Sequence, residues 1–249
     1  MRKLIRLDSV DSTNTYLLNY TPGEGEDQTV VVAEEQTAGR GQGTNQWESE
    51  CGKNLLFSVL VHPVGVPPTR QFCLSMAAAL ALKDTLDGLT DGISLKWPND
   101  IYWHDRKLCG ILIETRLKGN TIADCVFGIG LNVNQQCFRS DAPNPVSLCQ
   151  VLGRELQRDE LLRQILRNLD SRLSQLYNGG EKDLHSDYHR ALYRLGLERN
   201  YILPDGQTVR ATMEGVAPDG HLLLAVHTPE GTEHRSFAFK EIAFEIAKN

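Results

Sequence analysis

The chain contains six cysteines but no Cys-x-x-Cys pair and no histidine at zinc-finger spacing from one. That excludes a zinc ribbon and leaves no disulfide framework to read, so Cys51, Cys73, Cys109, Cys125, Cys137 and Cys149 are expected to be reduced thiols, most of them buried. No apolar run approaches the roughly eighteen residues that a membrane span needs, and residues 1–8 lack the apolar core of a secretory signal. A cytoplasmic protein with no membrane partner is expected. An excess of positive charge is missing too: Lys plus Arg number 26 against 32 Asp plus Glu, a formal charge of −6. A whole-chain footprint for nucleic acid is thereby excluded, while a local basic patch is not. There is no internal repeat and no low-complexity tract.

What is present is an ordinary globular composition, 41% hydrophobic and 23% charged, over 249 residues. That length suits one large domain with a smaller appendage. Apolar, β-branched runs bounded by turn residues predict strands over 29–33, 54–61, 92–97, 109–116 and 122–133, several of them in one mixed sheet. A helical period predicts a helix over 69–86, stopped at Gly88, and Ser12 is placed to cap a short helix running to Leu18. A long helix is expected from an N-cap at Asp159 through Leu176 to Asn178-Gly179-Gly180, and further helix over 187–195. From Gly196 onward the turn signals Pro204-Asp205-Gly206, Pro218-Asp219-Gly220 and Pro229-Glu230-Gly231 come close together, which predicts a small β-barrel.

Four segments carry chemistry. In Gly39-Arg40-Gly41-Gln42-Gly43 three glycines let the backbone approach an anion closely, and Arg40 offers a planar charged fork. The segment lacks the lysine and hydroxyl of a P-loop and does not fit Gly-x-Gly-x-x-Gly. An ordinary flexible loop is the bland alternative. Lys96-Trp97-Pro98-Asn99-Asp100 puts a cation, an amide and a carboxylate at a strand end, where open sheets bind ligands, and Lys107 follows on the turn into the next strand. A hairpin with solvated charges would look similar. Gly128-Ile129-Gly130-Leu131-Asn132-Val133-Asn134 has glycines inside a strand, which mark close approach of a ligand or simply of a packed helix. Asp11-Ser12-Thr13-Asn14 suits either a helix cap or hydrogen bonds to a neutral polar ligand.

Together and in this order, the four segments resemble the biotin protein ligases, with Lys-Trp-Pro-Asn-Asp the most specific motif. The resemblance implies an α+β fold: a mixed β-sheet covered by helices, of the class II synthetase and biotin ligase kind, over 1–195, with an SH3-like β-barrel over 196–249. It implies activation of biotin by ATP and Mg²⁺ as biotinyl-AMP, then transfer to a lysine of a biotin carboxyl carrier protein domain. It implies that Ser12, Thr13, Asn14, Gln36, Arg40, Gly41, Gln42, Lys107 and Gly110 bind biotin, and that Arg40, Trp47, Lys96, Asn99, Asp100 and Asn132 bind ATP. Arg40, Lys107 and Asp100 are the expected catalytic residues, Asp100 either orienting the acceptor amine or serving the phosphate side. No dedicated metal motif is expected, magnesium arriving with ATP.

The family's loop commonly reads Gly-Arg-Gly-Arg-Arg-Gly-Arg, whereas Gln42, Gly43, Thr44 and Asn45 follow Gly41 here, so three arginines are missing. Only eleven residues precede Ser12, too few for the family's DNA-binding repressor domain, and no DNA partner is expected. A homodimer through a sheet edge is a further implication of the resemblance. The competing readings are a lipoate or octanoate ligase, disfavoured because an aliphatic chain has no ureido group for Ser12-Thr13-Asn14 to bind, and a non-catalytic biotin or nucleotide sensor.

Overall fold

The computed structural model describes residues 1–139 and 144–246. The last three positions of the expected barrel, 247–249, lie outside the described residues. A strand β1 (Arg2–Val10) leads into a short helix α1 (Thr13–Leu18), followed by β2 (Gln28–Gln36) and β3 (Leu55–Val61). A single 3₁₀ turn (Pro68–Arg70) opens onto helix α2 (Phe72–Asp87), and then come β4 (Ile93–Lys96), β5 (Asp100–Trp103), β6 (Arg106–Lys118) and β7 (Thr121–Leu131). These strands make one sheet in the order β1-β2-β3-β7-β6-β5-β4. It is mixed because β1 and β2 run parallel while the other neighbours are antiparallel.

Alternation along the strands explains why both faces are covered. All seven residues of β3 are buried. Val30, Val32, Phe57 and Val59 face the main core with α2, whereas Val31, Leu60 and Val126 meet Leu17 of α1 on the other side. The alanines of α2 let it settle close to the sheet, with eleven of its sixteen residues buried. Helix α4 (Arg158–Tyr177) packs over α2 with Leu161, Ile165, Leu169, Leu173 and Leu176 on its buried stripe, preceded by α3 (Leu148–Leu152) and followed by α5 (Glu181–Arg190).

Several boundaries differ from those read in the sequence. The long helix starts at Arg158, with Asp159 inside its first turn, where a carboxylate faces the positive end of the helix dipole and meets Arg6 Nη2 at 2.9 Å. The following helix ends at Arg190, before most of the expected span, because the next residues bond to β4 instead: Leu95 N donates to Ala191 O at 2.8 Å and Tyr193 N to Leu95 O at 2.9 Å. Strand β1 has no counterpart in the sequence reading, since its charged residues break any apolar run and it is mostly exposed.

The C-terminal part forms a second, antiparallel sheet of β8 (Glu198–Ile202), β9 (Thr208–Val216), β10 (Leu222–Thr228), β11 (Gly231–Phe237) and β12 (Ala243–Phe244), in the order β11-β10-β9-β8-β12. Its turns fall at the expected Pro-Asp-Gly sites, with Gly206 at φ 83° and Gly220 at φ 96°, conformations that strain other residues. Trp97 Nε1 donates to Gly220 O at 2.8 Å, and the core is continuous from Tyr188 and Tyr193 into Tyr201 and Phe244. This contact brings the second sheet beside the end of β4, where the site lies.

Candidate active site

Residues 39–47 fold back as a hairpin: Gly41 N donates to Asn45 O at 2.8 Å and Trp47 N to Gly39 O at 3.0 Å. The fold-back lays the Trp47 indole across the sheet, where Gly110 on β6 pairs with Gly130 on β7. A Cβ at Gly110 would stand 2.9 Å from the indole, and one at Gly130 would overlap it. Glycine is needed at both positions because the ring occupies the space of a side chain. One register step along, Leu112, Gly128 and Ser58 are neighbours across three strands, and Asn14 sits over Gly128 so closely that a Cβ there would overlap its amide. The strand glycines mark a close approach by the protein's own Trp47 and Asn14, on the face where the cavity opens.

The polar end of the site is a connected network. Ser12 caps α1, its hydroxyl accepting from Thr15 N at 3.5 Å. Thr13 donates to Gln36 Oε1 from its backbone at 2.7 Å and from its hydroxyl at 2.9 Å. The Ser58 hydroxyl lies 2.7 Å from Thr13 Oγ1 and 2.6 Å from Asn14 Oδ1. Asn14 Nδ2 donates to Leu112 O at 3.2 Å and Glu114 Oε2 at 2.9 Å. These side chains are pre-oriented by one another, so a ligand with neutral donors and acceptors meets fixed partners.

The charged end starts where β4 leaves the sheet through a cis Trp97–Pro98 bond. Asn99 is tied to β6, its Nδ2 donating to Ile111 O at 2.7 Å. Lys107 is the second residue of β6, beside a register irregularity with β5, and not on the preceding turn as expected. Such irregularities commonly re-aim a side chain near a site. Lys107 Nζ stands 2.7 Å from Asp100 Oδ1, close enough for an ion pair but at angles that leave Oδ1 without a hydrogen bond, and 5.7 Å from the centre of the Trp47 ring. Lys96 Nζ is 3.8 Å from Asp100 Oδ2. Burial pushes the Lys96 ammonium below the ordinary lysine range, with Asp100 opposing the shift. Arg40 is paired by both arms with Glu114. Three cations therefore share two carboxylates, which leaves the site poised to accept an anion.

All the expected site residues except Asn132 line a single cavity of about 230 Å³. Asn132 lies off it, buried, with Nδ2 donating to Val146 O at 3.1 Å. Three participants were not assigned from the sequence. Glu114 shares the parity of Gly110 and Leu112 on one strand, a signal that would have placed it on the cavity face. Ser58 is the one hydroxyl in the apolar strand β3, and a lone buried polar group of that kind implies a partner. Phe239 reaches the cavity from the second sheet and carried no local signal. Of the thiols, Cys73, Cys109, Cys125 and Cys149 are buried, Cys51 and Cys137 exposed, and all six are unpaired.

The fold and site together define an α+β protein with an anion-accepting cavity on a mixed sheet, walled by a glycine-rich hairpin. The chain belongs to the biotin/lipoate A/B protein ligase family, whose profile matches residues 7–132, just over half its length. It is 33% identical over 230 residues to the biotin–[acetyl-CoA-carboxylase] ligase of Mycobacterium tuberculosis, covering 90% of this chain and 84% of that protein. It is 31% identical over 234 residues to the bifunctional ligase/repressor BirA of Bacillus subtilis, covering 90% of this chain and 68% of that one. Among solved structures, the biotin protein ligase from Aquifex aeolicus in complex with biotin and ATP superposes with a TM-score of 0.78 at 26% identity, covering 98% of this chain and 99% of the other.

Proposed function

We propose that this chain is a biotin–[acetyl-CoA-carboxylase] ligase, which forms biotinyl-AMP from biotin and ATP and passes the biotinyl group to a carrier-protein lysine. The observation that carries the reading is one cavity with two chemically distinct ends: a hydrogen-bonding network at Thr13, Asn14 and Gln36, and a cationic cluster at Arg40, Lys96 and Lys107. A ureido ring has donors and acceptors for the first, and a carboxylate meeting a phosphate needs the second. The relatives named above support it.

Bringing biotin's carboxylate to the α-phosphate joins two anions. Lys107 and Arg40 lower that barrier by electrostatic stabilisation, and loss of one such group costs about 2.7–4 kcal/mol by analogy with an oxyanion donor. Magnesium enters as the counter-ion carried by the triphosphate. Trp47, whose Nε1 is buried without a hydrogen-bond partner among the described residues, supplies a flat face and a free donor for the nucleotide. Asn99 and Lys96 flank the phosphate side. When Lys107 turns from Asp100 to the phosphate, the Asp100 carboxylate takes a proton from the acceptor ammonium and orients the resulting neutral amine toward the acyl carbon. A C–N bond then forms as the bond to AMP breaks. The hairpin 39–47 excludes water from the hydrolysable anhydride.

On this reading residues 1–195 form the catalytic domain and 196–249 an accessory one. The unpaired side of β1, at the end of the sheet, is available for a homodimer. No described helix is long and apolar enough to cross a membrane, and a cytoplasmic setting, where ATP is at hand, fits the reading. The test is ligand-dependent ATP–pyrophosphate exchange with biotin, lipoate or octanoate. Exchange with biotin alone is expected; exchange with lipoate or octanoate in preference overturns the choice of acid, and nucleotide binding with no exchange makes the protein a sensor.

A further inference from the structure

The second sheet touches the catalytic hairpin through one tight turn, 238–241. Glu241 N donates to Ala238 O at 3.1 Å, and the Glu241 side chain accepts from Ala238 N at 2.8 Å, which locks the turn from both sides. Phe239 and Lys240 form its tip. Phe239 lines the cavity, and its ring centre lies 5.9 Å from Lys240 Nζ. Lys240 itself has φ +73°, a conformation that turns normally give to Gly or Asn. Its side chain reaches over the hairpin so closely that a Cβ at Gly43 would stand 2.7 Å from Nζ.

The charges around it are uneven. Arg40 is matched by Glu114, and Lys96 and Lys107 share Asp100. The hairpin tip, Gln42, Gly43, Thr44 and Asn45, carries no charge. Among the described residues no carboxylate pairs with Lys240, so it is an exposed, uncommitted cation held over the hairpin tip in a strained backbone conformation. Strain that persists next to a site is a pointer to a role there.

We infer that Lys240 binds the phosphate chain of the nucleotide, supplying from the C-terminal sheet the positive charge that the hairpin tip lacks. Its ammonium pairs with the phosphate oxygens as the hairpin closes, so nucleotide arrival ties residues 39–47 to the turn 238–241 and holds the activated intermediate in place. The inference rests on the ATP-dependent reading above.

The test uses the full chain in biotin-dependent ATP–pyrophosphate exchange, with KM measured separately for ATP and for biotin, and with direct calorimetric titration of ATP. Lys240→Met removes the charge, Lys240→Arg keeps it, and Lys240→Gly removes it while relieving the backbone, so that variant folds at least as well as the wild type. The expected result is an ATP KM raised about tenfold in Lys240→Met and Lys240→Gly, a biotin KM within about twofold, and recovery in Lys240→Arg. An unchanged ATP KM in Lys240→Gly, or equal rises for both substrates, overturns the role while leaving the ligase reading intact. Absence of exchange in the wild type overturns that reading, and this inference with it.

Discussion

The Arg40 guanidinium and the Glu114 carboxylate form a two-armed ion pair, Nη2 to Oε1 at 2.9 Å and Nη1 to Oε2 at 3.2 Å. The same carboxylate accepts from Asn14 Nδ2 at 2.9 Å, so one β6 side chain ties the hairpin to the polar end of the cavity. An arriving carboxylate or phosphate must compete with Glu114 for Arg40, which couples ligand binding to the position of the hairpin.

Glu114→Gln should loosen the ligand-free hairpin while keeping an acceptor for Asn14. Arg40 is nearly half exposed, so the pair holds the hairpin by no more than about 1 kcal/mol. Limited trypsin cleavage after Arg40 is expected to quicken by a few-fold without ligand and to return to the wild-type rate with biotin and ATP present. Equal cleavage of the two ligand-free proteins would show that the pair does not restrain the hairpin.

Gly128→Ala and Gly130→Ala separate the two ends of the cavity. A methyl at 128 displaces Asn14 and should raise KM for biotin, whereas one at 130 displaces the Trp47 indole and should raise KM for ATP. Displacing a packed group costs on the order of 1–3 kcal/mol, so shifts of about tenfold or more are expected in pyrophosphate exchange. Both variants affecting the same substrate would contradict the division of the cavity.

Burial disfavours the charged form of Lys96, and Asp100 opposes that effect. The Lys96 pKa is depressed on folding, so between the folded value and the ordinary 10.5 the unfolded chain binds more protons, and the Lys96 contribution to stability rises with pH across that window. Lys96→Met should remove this rise and leave stability at pH 7 little changed, since Asp100 keeps the Lys107 ammonium at 2.7 Å as its partner. The same variant should lose affinity for ATP. Denaturant melts at pH 7 and pH 10 check the first part, and a steep pH dependence surviving in Lys96→Met would assign it elsewhere.

Trp97→Phe keeps an aromatic ring in the core but removes the donor to Gly220 O, which joins the two sheets. A loss of about 0.5–1.5 kcal/mol is expected from the shift of the denaturant midpoint. Because the junction also positions Phe239, the ATP KM should rise with it. Unchanged stability would mean that this hydrogen bond does not help to hold the second sheet.

The division between what the sequence made legible and what it hid follows the physics of each signal. Ser12 as the cap of α1 and the turns at Gly206 and Gly220 were readable because backbone geometry restricts residue type there, and the glycines of β7 because a neighbouring group fills the space of a side chain. Strand β1 was hidden because an edge strand with exposed charges has no apolar run. Asn132, expected at the nucleotide on family resemblance, is buried beside the cavity with its amide donating to Val146 O at 3.1 Å. Glu114 and Lys240 are brought to the hairpin only by tertiary contact, from 74 positions away for Glu114, and no local pattern reports such distances. The missing hairpin arginines were visible at once, whereas the cation that stands near their place comes from another sheet.

On the proposed function, this cavity joins biotin to ATP and hands the product to a lysine. Incubating the wild type with biotin, Mg-ATP and an apo biotin-carrier domain, followed by intact-mass measurement of the carrier, tests activation and transfer together. The expected result is a carrier heavier by one biotinyl group, formed only when biotin and ATP are both present, and a rate reduced about a hundredfold or more in Lys107→Ala. A carrier of unchanged mass with the wild type, or full activity in Lys107→Ala, would contradict it.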